Sequence, residues 1–74
     1  MRVISSTDLS REGNDCYIHE EISLVEQFGI YAIICCNKID GWAEREEVLV
    51  VFRSTEKKKA IRAYKGYGGK LDVD

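Results

Sequence analysis

The sequence predicts an α+β domain: a four-stranded antiparallel meander sheet followed by one C-terminal helix packed on one face, in the order ββββα. Three observations carry that expectation. Residues 16–24 alternate apolar and polar side chains, residues 30–39 are apolar on both faces, and Ala60, Ile61, Ala63 and Tyr64 recur at helical spacing. No proline, linker, repeat or low-complexity tract divides the 74 residues, which read as a single small domain spanning 1–74.

The first strand is expected over residues 2–9. Val3, Ile4, Ser5, Ser6 and Thr7 are the β-branched and hydroxyl residues of an edge strand. Residues 10–15 are polar turn formers. The second strand covers residues 16–25. Cys16, Ile18, Ile22 and Leu24 share one face and Tyr17, His19, Glu21 and Ser23 the other, with Glu20 breaking the pattern. A tight connection follows at residues 26–29. A two-residue turn at Gln27-Phe28 places Leu24 opposite Tyr31, Ile22 opposite Ile33 and His19 opposite Cys36.

The third strand, residues 30–39, belongs at the centre of the sheet because both its faces are apolar. Asp40-Gly41 is a hairpin turn signal. The charged stretch 42–47 either extends that hairpin or loops out. Residues 48–52 (Val-Leu-Val-Val-Phe) form the strongest strand signal. Ser54 or Thr55 then caps a helix running to about Lys65, with Gly66 as its stop. The expected core is Ile18, Ile22, Leu24, Ile33, Val50, Phe52, Ile61 and Tyr64.

Composition excludes several classes. With 45% hydrophobic and 32% charged residues the chain is not of the disordered type. It has no apolar run of signal-peptide length and none near the ~20 residues that span a bilayer. No membrane association is expected, and the location is expected to be cytoplasmic. The three cysteines, Cys16, Cys35 and Cys36, are odd in number and lack a CxxC, so they read as reduced, buried thiols. Together with the single His19 they do not offer the four closely spaced ligands of a zinc site, and no metal or cofactor is expected.

Charge is unevenly placed. Lys57, Lys58, Lys59, Arg62, Lys65 and Lys70 fall in a segment without an acid, while the preceding residues are strongly acidic. Three lysines in the first helical turn oppose the helix dipole. An anionic partner or a plain solvated face would each account for them. The run Tyr64-Lys-Gly-Tyr-Gly-Gly-Lys70 has the glycines and lysine of a phosphate loop, but it follows a helix instead of opening one. Lysines interleaved with tyrosines also suit nucleic acid. The anion-binding candidates are therefore Lys57, Lys58, Lys59, Arg62, Lys65, Tyr67 and Lys70.

Catalysis has weaker support. His19 beside Cys36 would be the germ of a nucleophilic pair, but no orienting third group is visible. Glu20 with Glu21, and Glu44, Glu46 and Glu47, read as solvated charges. The chain is not expected to be an enzyme. One helix covers one face of a sheet, which leaves Ile30, Ala32 and Ile34 open on the other, and open apolar faces mark interfaces. Trp42, beside a turn, is a candidate aromatic anchor. The expected function is a small non-enzymatic binding module acting by protein–protein contact. It would serve as a regulator or inhibitor, in the manner of small acidic proteins of mobile elements, an association of class alone. A homodimer is one form of that contact. The alternative is binding of nucleic acid or a nucleotide-like anion by the basic helix.

Overall fold

The alternating segment becomes the longest strand, and the sheet is assembled around it. The protein is represented by a computed structural model that describes residues 1–40 and 45–71. The strands are β1 (Arg2–Asp8), β2 (Arg11–Gly13), β3 (Cys16–Gln27), β4 (Ile30–Asp40) and β5 (Arg45–Ser54), followed by the helix α1 (Lys57–Gly66). All pairings are antiparallel, in the order β1-β3-β4-β5, with β2 also on β3. The expected meander is present as β1, β3, β4 and β5, and a fifth short strand, β2, forms from residues expected as a turn. β1 pairs with residues 21–26 of β3 and β2 with residues 16–18, along the same side. The break lies at Leu9-Ser10. There the Asp8 carboxylate accepts the Ser10 backbone N–H at 2.9 Å and the Ser10 hydroxyl accepts the Glu20 N–H at 3.2 Å.

The β3–β4 turn is Phe28-Gly29, one residue later than the spacing suggested. Both residues have positive φ, 52° and 79°, as a type I′ hairpin turn requires. The observed partners are accordingly Leu24 with Ile33 and Ile22 with Cys35. The expected partners, Tyr31 and Ile33, are each off by two positions. A slip of two leaves every side chain on its face, so the pattern could assign faces without locating the turn.

β5 begins at Arg45, so Arg45, Glu46 and Glu47 of the charged stretch belong to the strand. The proposed turn at Asp40-Gly41, with Trp42 and Glu44, runs into residues outside those described. Within β5 the register changes: Ile33 faces Phe52, but Ile34 faces Val50, which leaves Val51 as an extra residue. This bulge corrects the core. Strict alternation would put Val50 and Phe52 on one face. With the bulge, Phe52 and Val51 pack beneath the helix while Val50 turns to the opposite face and is 53% exposed.

The buried cluster is Ile22, Leu24, Ile33, Ala60 and Tyr64, with Val51, Phe52 and Ile61 partly buried around it. Ile18, expected in the core, is half-buried farther along β3. The helix presents Ala60 and Tyr64, one turn apart, to the sheet. Its N-cap is Glu56, without a side-chain cap, in place of Ser54 or Thr55. The Ser54 hydroxyl instead accepts the Glu56 N–H at 3.0 Å, one step ahead of the helix. Beyond α1 the chain returns to β1, where the Lys70 N–H donates to Thr7 Oγ1 and the Ser5 hydroxyl donates to the Lys70 carbonyl, each at 2.9 Å.

Candidate protein-binding face

The helix lies on the face shared by Leu24 and Ile33, so it leaves the other face of the sheet uncovered, where Val25 is buried among its neighbours and Ala32 and Ile34 are half-buried. On β4 that face carries Ile30, Ala32, Ile34 and Cys36. Their cross-strand neighbours are Gln27, Val25, Ser23 and Glu21 on β3, and Arg53, Val50 and Val48 lie beside Ala32, Ile34 and Cys36 on β5. At the turn end the backbone makes a shallow hollow of about 280 Å³. It is lined by Met1, Val25, Phe28, Ile30, Ala32 and Ile34, with Arg53 at its rim. Phe28 is 91% exposed, because the left-handed turn directs its side chain off the hairpin tip. Val48 and Val50 continue the apolar surface toward the β5 edge, both more than half exposed.

The far end of this face is polar. A second hollow, of about 320 Å³, is lined by Asp8, Ser10, His19, Glu21, Lys38 and Glu46, together with Cys36 and neighbours. Hydrogen bonds from the Ser10 side chain and backbone hold the Asp8 carboxyl below its ordinary value. His19 lies opposite Lys38, and Cys36 lies opposite Glu21. The two are therefore not the cross-strand partners that the earlier turn position implied. His19 packs edge-on against Tyr17, with ring centroids 4.5 Å apart. On the helix side, burial and the nearby Glu20 carboxylate push the Cys35 thiol up, which keeps it protonated. Among the described residues all three cysteines are free, and no group of three or more His, Cys, Asp or Glu is arranged to hold a metal ion.

Three of the four residues proposed for partner binding, Ile30, Ala32 and Ile34, share the apolar hollow. The fourth, Trp42, lies outside the described residues. Of the anion-binding candidates, Lys57, Lys58, Lys59, Arg62 and Lys65 are all exposed on α1. Lys59 is engaged with Glu56 at 2.7 Å. Tyr67 turns back to the sheet and donates to the Val51 carbonyl at 3.3 Å, while the Lys70 backbone is tied to β1. Sequence reasoning missed Phe28, Val25 and Val50 on the open face. Reading Phe-Gly as the hairpin turn would have found Phe28, whereas the bulge that exposes Val50 leaves no trace in the pattern.

Fold and face together define a small α+β domain with one sheet face packed under a helix and the other open. Compared with known proteins, the chain matches no family model, no curated protein and no solved structure. Among the described residues no helix is long and apolar enough to cross a membrane.

Proposed function

We propose that the protein is a small non-enzymatic binding module that acts by protein–protein contact through the open sheet face, as a regulator or inhibitor of its partner. The observation that carries this reading is Phe28, 91% exposed beside an apolar hollow. The hairpin turn already projects Phe28 outward, so docking it requires ordering one side chain and no rearrangement of the backbone. Burying a side chain of this kind contributes about 1.5–3 kcal/mol. Ile34, at the centre of the face, is the position at which a charge would do most damage to such a contact.

Affinity capture with the intact chain as bait tests this, run in parallel with Ile34→Lys and Phe28→Asp. Both variants are first checked for a native circular dichroism spectrum. The expected result is a protein retained by the native bait and reduced about tenfold or more by either change, the loss that about 1.4 kcal/mol produces. Equal capture by all three baits would remove this face from the function.

A second reading is favoured by one observation: five cations of α1 all face solvent. Such a stripe would bind nucleic acid or a nucleotide-like anion through phosphates. Binding of that kind weakens steeply as salt rises, whereas an apolar contact does not.

A further inference from the structure

We propose that β5 pairs edge to edge with β5 of a second copy of this chain, antiparallel, about a two-fold axis at Leu49. Among the described residues the sheet order ends on β5, and residues 46–50 are all exposed. Val48, Leu49 and Val50 are 60%, 45% and 53% exposed. No proline or lysine guards this strand, and open apolar edges pair readily. The opposite edge is less available. Both edges carry one register irregularity, but β1 is also separated from β2 at Leu9-Ser10 and is joined by the chain's return at Lys70.

The hairpin determines which backbone groups of β5 face outward. In a two-residue turn the flanking residues, Gln27 and Ile30, exchange both hydrogen bonds. Alternation then directs the even residues of β4 toward β3 and the odd ones toward β5. Glu47 and Leu49, opposite Asn37 and Cys35, turn their N–H and C=O groups inward. Glu46, Val48 and Val50 turn theirs outward. Past the bulge the parity changes: Phe52, opposite Ile33, turns inward and Arg53 outward.

The outward residues thus read acid, valine, valine, base, with all four side chains on the open face. Reversing the strand about Leu49 sets Val48 against Val50 of the other copy and Glu46 against Arg53, each twice. The bulge makes this match, because without the extra Val51 the partner of Glu46 would be Phe52. On the helix side Leu49 meets its own copy as a non-hydrogen-bonded pair, the spacing at which side chains approach most closely. Complementarity of a strand with its own reverse, in both charge and apolar contact, designates a second copy as the occupant. The inference stands independently of what binds the open face.

Sedimentation equilibrium of the full chain, with Glu46→Arg, Arg53→Glu and the double variant, tests the pairing. The native protein is expected at twice 8.5 kDa. Each single change sets like charges opposite one another at two places and should raise the dimer dissociation constant about tenfold, and the double variant should restore it to within about threefold. A clean monomer up to about 100 μM, the range of a weak complex, would overturn the proposal. So would a dimer indifferent to either single change, or a double variant no better than the singles. Hydrogen exchange of the native chain supplies a readout that needs no variant. The amides of Val48 and Val50 should be protected in the dimer and lose protection on dilution, and fast exchange there in a proven dimer would place the interface elsewhere.

Discussion

Tyr64 ties the helix to the core of the sheet and to β1. Its ring is fully buried among Ile22, Leu24 and Ile33, and its hydroxyl meets Thr7 Oγ1 at 2.6 Å and Ser5 Oγ at 3.3 Å. Tyr64→Phe keeps the ring and strips the buried serine of one partner. It should cost about 1–2 kcal/mol, measured by urea unfolding. Gly69 lies against the same ring, where a Cβ would sit 2.5 Å from Cε2. Gly69→Ala must therefore displace either the ring or the returning chain, and a drop in thermal midpoint with loss of the Lys70–Thr7 link is expected. The thiols separate by environment. Cys36 is exposed, while Cys35 is partly buried with its pKa raised, so alkylation of the native protein should label Cys36 well before Cys35. Asp8 contributes a pH dependence. Its pKa lies below the ordinary 3.8, so its share of stability is present above that value and lost as pH falls through the folded-state pKa. Ser10→Ala should return the carboxyl toward 3.8 in an NMR titration.

Elements were legible where a period was long enough to read. The alternation of β3, the two-faced apolar run of β4 and the Ala60/Tyr64 stripe of α1 each placed an element close to where it stands. Faces survived the error in the turn because moving a turn by one residue shifts the register by two. Devices that insert a single residue were not legible: the Val51 bulge keeps every local propensity intact and still moves Val50 out of the core. The helix start was misplaced for a related reason. Ser54 makes the hydrogen bond expected of a cap, but to Glu56 ahead of the helix. The first turn of α1 holds no acid and three lysines, against the dipole. Lys57→Glu and Lys58→Glu should each stabilise the fold by about 0.3–1 kcal/mol at low salt if the lysines serve only as a solvated face. Thermal melting measures that gain. If the basic stripe is a binding site, the same changes should abolish anion binding while still raising the midpoint.

At the scale of the whole molecule, the fold is lopsided. It measures 41 × 23 × 16 Å, and its buried cluster gathers around residues 22–24, 33 and 60–64, toward the β3–β4 turn. β3 and β4 run on past that cluster to Cys16 and Asp40, where Ile18 and Ile39 are only half-buried and Tyr17 is 40% exposed. The candidate site was legible to the same uneven degree: Ile30, Ala32 and Ile34 could be assigned to one face from alternation, but the hollow they line depends on a turn and an N-terminus that no period encodes. Because opening free energy follows local burial, protection should fall along single strands instead of differing between strands. The amides of Leu24 and Ile33, in the cluster, should exchange at the rate of global unfolding. Those of Ile18 and Ile39, in the same two strands, should exchange about a hundredfold faster, the ratio for a local opening cheaper by about 2.7 kcal/mol. Native-state hydrogen exchange, run dilute enough to exclude association, reads this directly. Equal protection at both ends would mean that the far end is held as firmly as the core, and that the gradient of packing along the two strands does not govern the protein's stability.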